Sequence, residues 1–341
     1  MDTDSVRADR YPGKIGLAID LGTTKTKVTC DKLVIACDPR NLDKKIGYTA
    51  AETSLFDKLQ NFTFHTTLLK MRVTNPNMEH GVVFAPEPMS RMKGHLYGYR
   101  NETAKTLGLE AANKAEFNWV TVYQLYGEID TPPTEGEFEA LLRAEIATQE
   151  WWPFAKKWEE LHKKVLTEYF DHFHGPDLQA FSPWDWHNLQ GDNDTIYVHA
   201  STCFESVVHC WYYINWLFEG HPDVRKIFPE NLDESIVILG AGVSGLLTAE
   251  ALLHRGHTDV RLFEKTKRYG GKTHTIEVEQ YEELGQVVPV YCELGTCYLS
   301  PHYTKFVTEM RKRSYLKGNT QLGFGGESGT FRGILTKGQF S

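Results

Sequence analysis

Three glycines in the run SIVILGAGVSGLLTAE, namely Gly240, Gly242 and Gly245, stand at the spacing that lets a backbone wrap a pyrophosphate. Each has its own physical task. Gly240 allows a tight turn off the apolar run SIVIL, and Gly242 removes a side chain where a pyrophosphate must approach the backbone. Gly245 lets the helix that follows pack closely on the strand. Val243 and Ser244 lie between them, at the positive end of that helix, where amide N–H groups face an anion. Glu264 closes the next apolar run, DVRLFE, about where a carboxylate bonds the ribose hydroxyls of an adenosine. An acid there repels a 2′-phosphate, which disfavours NADP. The competing reading is a Gly-rich turn used only for packing.

The residues after it bear on which nucleotide is bound. In Glu264-Lys265-Thr-Lys-Arg268-Tyr-Gly270-Gly271-Lys272, Arg268 is a fixed cation whose planar fork suits phosphate. Gly270 and Gly271 permit close backbone approach. This stretch resembles the E-x-x-x-R-x-G-G-[RK] signature of the flavin amine oxidase superfamily, which includes amine oxidases, phytoene desaturase-like enzymes and polyenoic fatty acid isomerase. The resemblance implies FAD, with the Arg and the double Gly wrapping its diphosphate. No cysteine lies in a context like the family's covalent flavin attachment, so the expectation is non-covalent FAD. Glu293-Leu-Gly295 resembles the E-x-G segment that follows in the family, with a plain strand and turn as an equal competitor.

About two thirds of the chain precedes this motif. There, CDKLVIACDP (30–39) resembles a late strand of the same superfamily that lies near the adenosine. TIYVHASTCFESVVHCWYYINWL (195–217) resembles its closing segment, whose last helix points its N-terminus at the flavin. That resemblance places Ser201, Thr202, Glu205 and Ser206 at a helix start and makes Ser201 and Glu205 candidate cofactor contacts. The alternative is that Ser201 or Thr202 is only an N-cap. The expected organisation is a polar tail (1–14), a region like the C-terminal half of such a flavoprotein (15–218), a linker (219–234) and an N-terminal-type FAD-binding βαβ region (235–341). The family's halves thus stand in swapped order with the middle missing. A circular permutation with a deletion, a junction between tandem copies and a misassembled gene model each fit.

These motifs need elements to hold them. KIGLAID and TKTKVTCDKLVIAC read as strands with a Gly22-Thr23-Thr24 turn between them. FTFHTTLLKMRV (62–73), HGVVFA (80–85), HLYGYR (95–100) and FNWVTVYQLYG (117–127) alternate apolar and polar residues and predict a mostly antiparallel sheet. TPPTEGEFEALLRAEIATQEW predicts a helix. A second helix is expected around 153–170, with Phe154, Trp158, Leu161 and Val165 on one face, ending at Gly175-Pro176. TIYVHAS reads as a strand and 204–218 as an apolar helix. The fold class is therefore α/β with α+β elements: a Rossmann-like FAD-binding domain and a mostly antiparallel-sheet substrate-domain portion.

Bulk properties restrict the function further. The 341 residues are 41% hydrophobic, with 8 Trp, 16 Tyr and 18 Phe, enough for a sizeable core. A formal net charge of -8 without a long Lys/Arg run argues against a nucleic-acid partner. The polar N-terminus and the short apolar runs predict neither a secretory signal nor a membrane span. The six cysteines, Cys30, Cys37, Cys203, Cys210, Cys292 and Cys297, form no C-x-x-C pair and read as reduced thiols of a cytoplasmic protein. Cys203 and Cys210 share one side of a predicted helix and read as core residues rather than redox partners.

Two other motifs compete. IGLAIDLGTTKTKV resembles the first phosphate motif of actin-like ATPases and sugar kinases through Asp20, Gly22, Thr23 and Thr24, but the required second phosphate loop is not found. His172 and His174, near Asp171 and Asp177, raise a metal site, but carbonyl capping at a helix end explains them, so no metal is expected. The leading function is FAD-dependent hydride transfer from an amine or an apolar small molecule such as a fatty acid or polyene. The alternative is a non-catalytic relative that at most binds a dinucleotide. No catalytic base and no oligomeric state can be read from the residues.

Overall fold

A computed structural model describes residues 6–11, 13–20, 25–42, 46–74, 80–82, 93–127, 133–149, 152–281, 287–295 and 303–312. In chain order the strands are β1 (Val6–Tyr11), β2 (Lys14–Asp20), β3 (Lys25–Cys30), β4 (Lys32–Ile35), β5 (Leu59–Val73), β6 (His80–Val82), β7 (Lys93–Asn101), β8 (Asn118–Tyr126), β9 (Phe154–Phe173), β10 (Thr195–Tyr197), β11 (Ile236–Leu239), β12 (Val260–Phe263), β13 (Thr275–Tyr281) and β14 (Val287–Glu293). The helices are α1 (Ala50–Phe56), α2 (Glu102–Leu107), α3 (Leu109–Lys114), α4 (Glu135–Thr148), α5 (Gly175–Gln179), α6 (Ser182–Leu189), α7 (Val207–Glu219), α8 (Val243–His254) and α9 (Thr304–Lys312). The described residues form two compact units, one within Met1–Gln60 and Phe170–Lys272, the other within Asn61–Tyr169 and Thr273–Ser341.

The first unit holds a parallel sheet of order β10-β4-β11-β12. Its strands are short apolar runs, and those of β4, β10 and β11 are almost wholly buried, as expected of a parallel sheet with elements on both faces. One face packs against Phe56, Trp186 and the β1–β3 sheet. The other packs against Tyr213, Ile214, Leu217 and Leu252 of α7 and α8. Apart from Glu219, the last residue of α7, the expected linker 219–234 has neither helix nor strand, yet Val224 and Phe228 are buried there, and Phe228 stacks on Phe218 with ring centroids 4.0 Å apart.

Within the expected polar tail, Val6–Tyr11 form β1, which pairs antiparallel with β2. Arg10 on β1 reaches a buried site where its guanidinium forks onto Glu52 at 2.8 and 2.7 Å, and Tyr197 also donates to Glu52. The Arg10 and Glu52 side chains are 3% and 1% exposed, so their mutual satisfaction matters. Burial pushes the Glu52 carboxyl up, but hydrogen bonds from Arg10, Tyr197 and the Thr49 N–H outweigh it and hold it below the usual carboxylate range. A depressed carboxylate contributes stability above its unfolded-state pKa and loses it as pH falls through the folded one. Glu52→Ala is expected to cost about 3–5 kcal/mol at neutral pH by stranding Arg10. Urea unfolding of the variant from neutral to acid pH is then expected to lose less stability than wild type.

The second unit holds a sheet of order β6-β7-β8-β5-β9, antiparallel in the β6–β7, β7–β8 and β8–β5 pairs, and a β13–β14 hairpin. Leu69, Met71, Val120 and Val122 pack there under Leu142 and Ile146 of α4.

Two expectations are corrected. The helix expected around 153–170 is instead part of the strand β9 (Phe154–Phe173). Its helical spacing is outweighed by pairing at the sheet edge, where Trp152 and Phe154 join the core and Lys156, Lys157 and Glu159 are exposed. Gly175-Pro176 begins α5 rather than ending a helix, because proline at the first turn gives up an N–H that has no partner there. The expected Gly22-Thr23-Thr24 turn, residues 83–85 and Cys297 lie outside the described residues.

Candidate dinucleotide site

All four parallel strands of the first unit deliver candidate residues to one edge, at their C-terminal ends. His199 follows β10, Asp38 follows β4, Gly240 follows β11 and Glu264 follows β12. Ligands of open α/β sheets bind at this edge.

Geometry requires glycine at Gly240, Gly245 and Gly271. Gly240 has a φ of +104°, and a Cβ there would sit 3.2 Å from the Cys37 nitrogen. Gly245 lies against the strand end, where a Cβ would come within 1.9 Å of the Gly240 carbonyl oxygen. Gly242 is the N-cap of α8 and supplies no side-chain cap. It forms a parallel bridge with Gly270, and the Gly270 N–H donates to the Ala241 carbonyl at 2.7 Å. A Cβ on Gly271, at φ +57°, would come within 2.9 Å of the Gly242 Cα. A Cβ on Gly242 would touch Gly271 only at 3.8 Å. Two bare backbones thus meet at the start of a helix, the arrangement a pyrophosphate requires.

Glu264 braces the turn. One of its oxygens accepts the Ala241 N–H at 2.8 Å, and the other accepts the Thr266 N–H and hydroxyl at 2.9 Å. Arg268 donates to the carbonyls of Tyr269 and Gly271 and thereby clamps the double-glycine turn. Lys265 is exposed, Val243 is half-buried, and Ser244 is buried with its hydroxyl bonded to the Cys210 thiol. Lys272 pairs with Glu205, whose other oxygen accepts the Phe170 N–H. Burial pushes the Glu205 carboxyl up, and Lys272 only partly offsets it.

The structure therefore brings Gly240, Gly242, Gly245, Glu264, Arg268, Gly270, Gly271, Lys272 and Glu205 into one connected set. Ser201 stands apart from its hydrogen bonds, with its hydroxyl 3.0 Å from His199 Nδ1 in a short 3-10 turn. Of the four residues expected at the helix start, Ser206 stands there, while Ser201 and Thr202 belong to the 3-10 turn before it. Ser206 is the N-cap, extended at φ -138° and accepting the His209 N–H at 3.2 Å, and α7 begins at Val207.

A buried cluster at the same edge has no counterpart in the sequence reading. Arg40 bonds Asp38 through both carboxylate oxygens and reaches Asp171 at 2.5 Å, while His199 Nδ1 lies 3.6 Å from Asp171. Burial pushes the Asp38 carboxyl up, but Arg40 and His199 hold it below its usual range. Only the CDPR sequence after β4 hinted at it, since Asp171 lies 131 residues from Arg40.

Residues 238–310 match the model of an NAD(P)-binding Rossmann-like domain. The chain is 31% identical over 81 residues to a polyenoic fatty acid isomerase of Ptilota filicina, 24% of this chain and 14% of that protein. It is 46% identical over 46 residues to a tryptophan 2-monooxygenase of Agrobacterium tumefaciens (strain Ach5), 13% of this chain and 6% of that protein. A solved CLA-producing fatty acid isomerase from P. acnes aligns at 18% identity over 61% of this chain and 45% of that chain, with a TM-score of 0.46. The sequence matches cover less than a sixth of either curated relative. Among the described residues no helix is long and apolar enough to cross a membrane. Residues 238–310 are thus a Rossmann-like dinucleotide-binding segment, in a chain similar to proteins of the flavin amine oxidase superfamily.

Proposed function

We propose that this chain binds FAD non-covalently and belongs to an oxidoreductase acting on an amine or an apolar small molecule. The observation that carries this reading is the approach of Gly242 and Gly271, where a Cβ on Gly271 would come within 2.9 Å of the facing Cα. Gly242, Val243, Ser244 and Gly245 would present the N-terminus of α8 to the diphosphate. Arg268 and Glu264 hold the two loops that frame it. Glu264 keeps carboxylate lone pairs for ribose hydroxyls and disfavours a 2′-phosphate, which favours FAD or NAD over NADP. FAD, when bound, supplies a two-electron hydride acceptor at its N5. Lys272 and Glu205 act through each other, tying the double-glycine turn to the segment before α7.

The test is a titration of the purified chain with FAD, followed by absorption and flavin fluorescence. Saturable binding, with FAD preferred over NADP, is the expected result. A protein that stays colourless and leaves the fluorescence of FAD unchanged overturns the reading. Anaerobic bleaching of bound flavin by amines or by polyunsaturated fatty acids then sorts the substrate class. Flavin that binds but is bleached by neither favours a binding role without turnover.

A further inference from the structure

Two thiols that the proposed cofactor chemistry does not use meet beside the Gly-rich turn. Cys203 closes the 3-10 turn after β10, and Cys210 lies in the first turn of α7. Their sulfurs are 3.9 Å apart, with the Cys203 thiol donating to Cys210. Cys203 is partly exposed, Cys210 is buried, and the Ser244 hydroxyl bonds the Cys210 sulfur. From these contacts we propose that Cys203 and Cys210 are a redox-modification site, oxidised by a peroxide to an intramolecular disulfide and restored by thiol reductants.

The contact serves either order of attack. The sulfur of one thiol attacks one peroxide oxygen. An S–O bond forms, the O–O bond breaks, and the departing hydroxide takes the thiol proton as water. The sulfur of the other thiol then displaces the hydroxyl from the sulfenic acid, forming the S–S bond and a second water. Two thiols lose two electrons and two protons, and one peroxide is reduced to two waters. The sulfurs must close from 3.9 Å to about 2 Å, a movement that the turn from Cys203 to Ser206 can absorb. Cys30 and Cys292 differ in lying deep in the core, where burial pushes both thiols up, that of Cys30 to about 11.

The experiment is peptide mapping of the full chain after hydrogen peroxide treatment and alkylation. The expected product is a linked pair of peptides containing Cys203 and Cys210, about 2 Da lighter than the sum of the reduced peptides and separated again by dithiothreitol. Cys203→Ser and Cys210→Ser are each expected to abolish the linked pair and to leave the remaining cysteine unlinked. Three results overturn the proposal: both thiols alkylated after peroxide, both oxidised separately in wild type, or either one paired with another cysteine. None of these readings requires FAD to bind.

Discussion

A Gly245→Ala variant is expected to lose about 3 kcal/mol or more of unfolding free energy, near the upper end of what overpacking costs. The added methyl group would sit 1.9 Å from the Gly240 carbonyl oxygen and 3.2 Å from the Ala36 Cβ. Both are held by the strands: the Gly240 N–H donates to Phe263, and the Ala36 N–H donates to Leu239. Neither can retreat without breaking the parallel ladder, so α8 must lift from β11. Urea unfolding followed by circular dichroism measures the loss. A variant within about 0.5 kcal/mol of wild type would show that the helix does not need this close packing.

Gly242→Asp is expected to do the opposite, keeping the fold and losing the ligand. The backbone there has a φ of -70°, which any residue adopts, and a Cβ meets its nearest neighbour at 3.8 Å. Aspartate is also a good N-cap, so the thermal midpoint should stay within a few degrees of wild type. The new carboxylate, however, occupies the anion's place at the helix N-terminus and repels a diphosphate. FAD affinity is expected to fall at least about 100-fold, the effect of roughly 3 kcal/mol. Wild-type affinity with an intact fold would place the nucleotide elsewhere. Together the two variants separate the packing glycine from the binding glycine three residues before it.

That separation explains what could be read from the residues. The Gly-rich turn, Glu264 and the R-x-G-G-K run are local: each glycine answers to atoms a few residues away or to the adjacent strand. The strands β5, β7 and β8 were legible for the same reason, since their alternation is written within each run. Residues 153–170 were not, because Phe154, Trp158, Leu161 and Val165 fit a helix and only pairing at the sheet edge decides otherwise. Strand β1 was missed because its polar sequence hides Arg10, whose partner Glu52 is 42 residues away. The Arg40–Asp171 and Lys272–Glu205 pairs were invisible likewise, since ion pairs between distant segments leave no mark in either segment alone.

The position of β4 has a consequence for how the chain is made. Both of its hydrogen-bonding edges are filled by strands that come much later: β10 on one side and β11 on the other. Asp31, beside β4, bonds Ser235 across 204 residues. At about 5–20 residues per second on the ribosome, β4 waits roughly 10–40 s for its second neighbour. Until β10 is made, Leu33, Val34 and Ile35, each 0% exposed in the finished fold, have no strand of this sheet to pair with. Such non-local pairing slows folding and leaves an adhesive strand uncovered. The nascent chain should therefore depend on chaperones early, and substitutions that weaken β11 should lower its soluble yield more than they lower the stability of the folded protein.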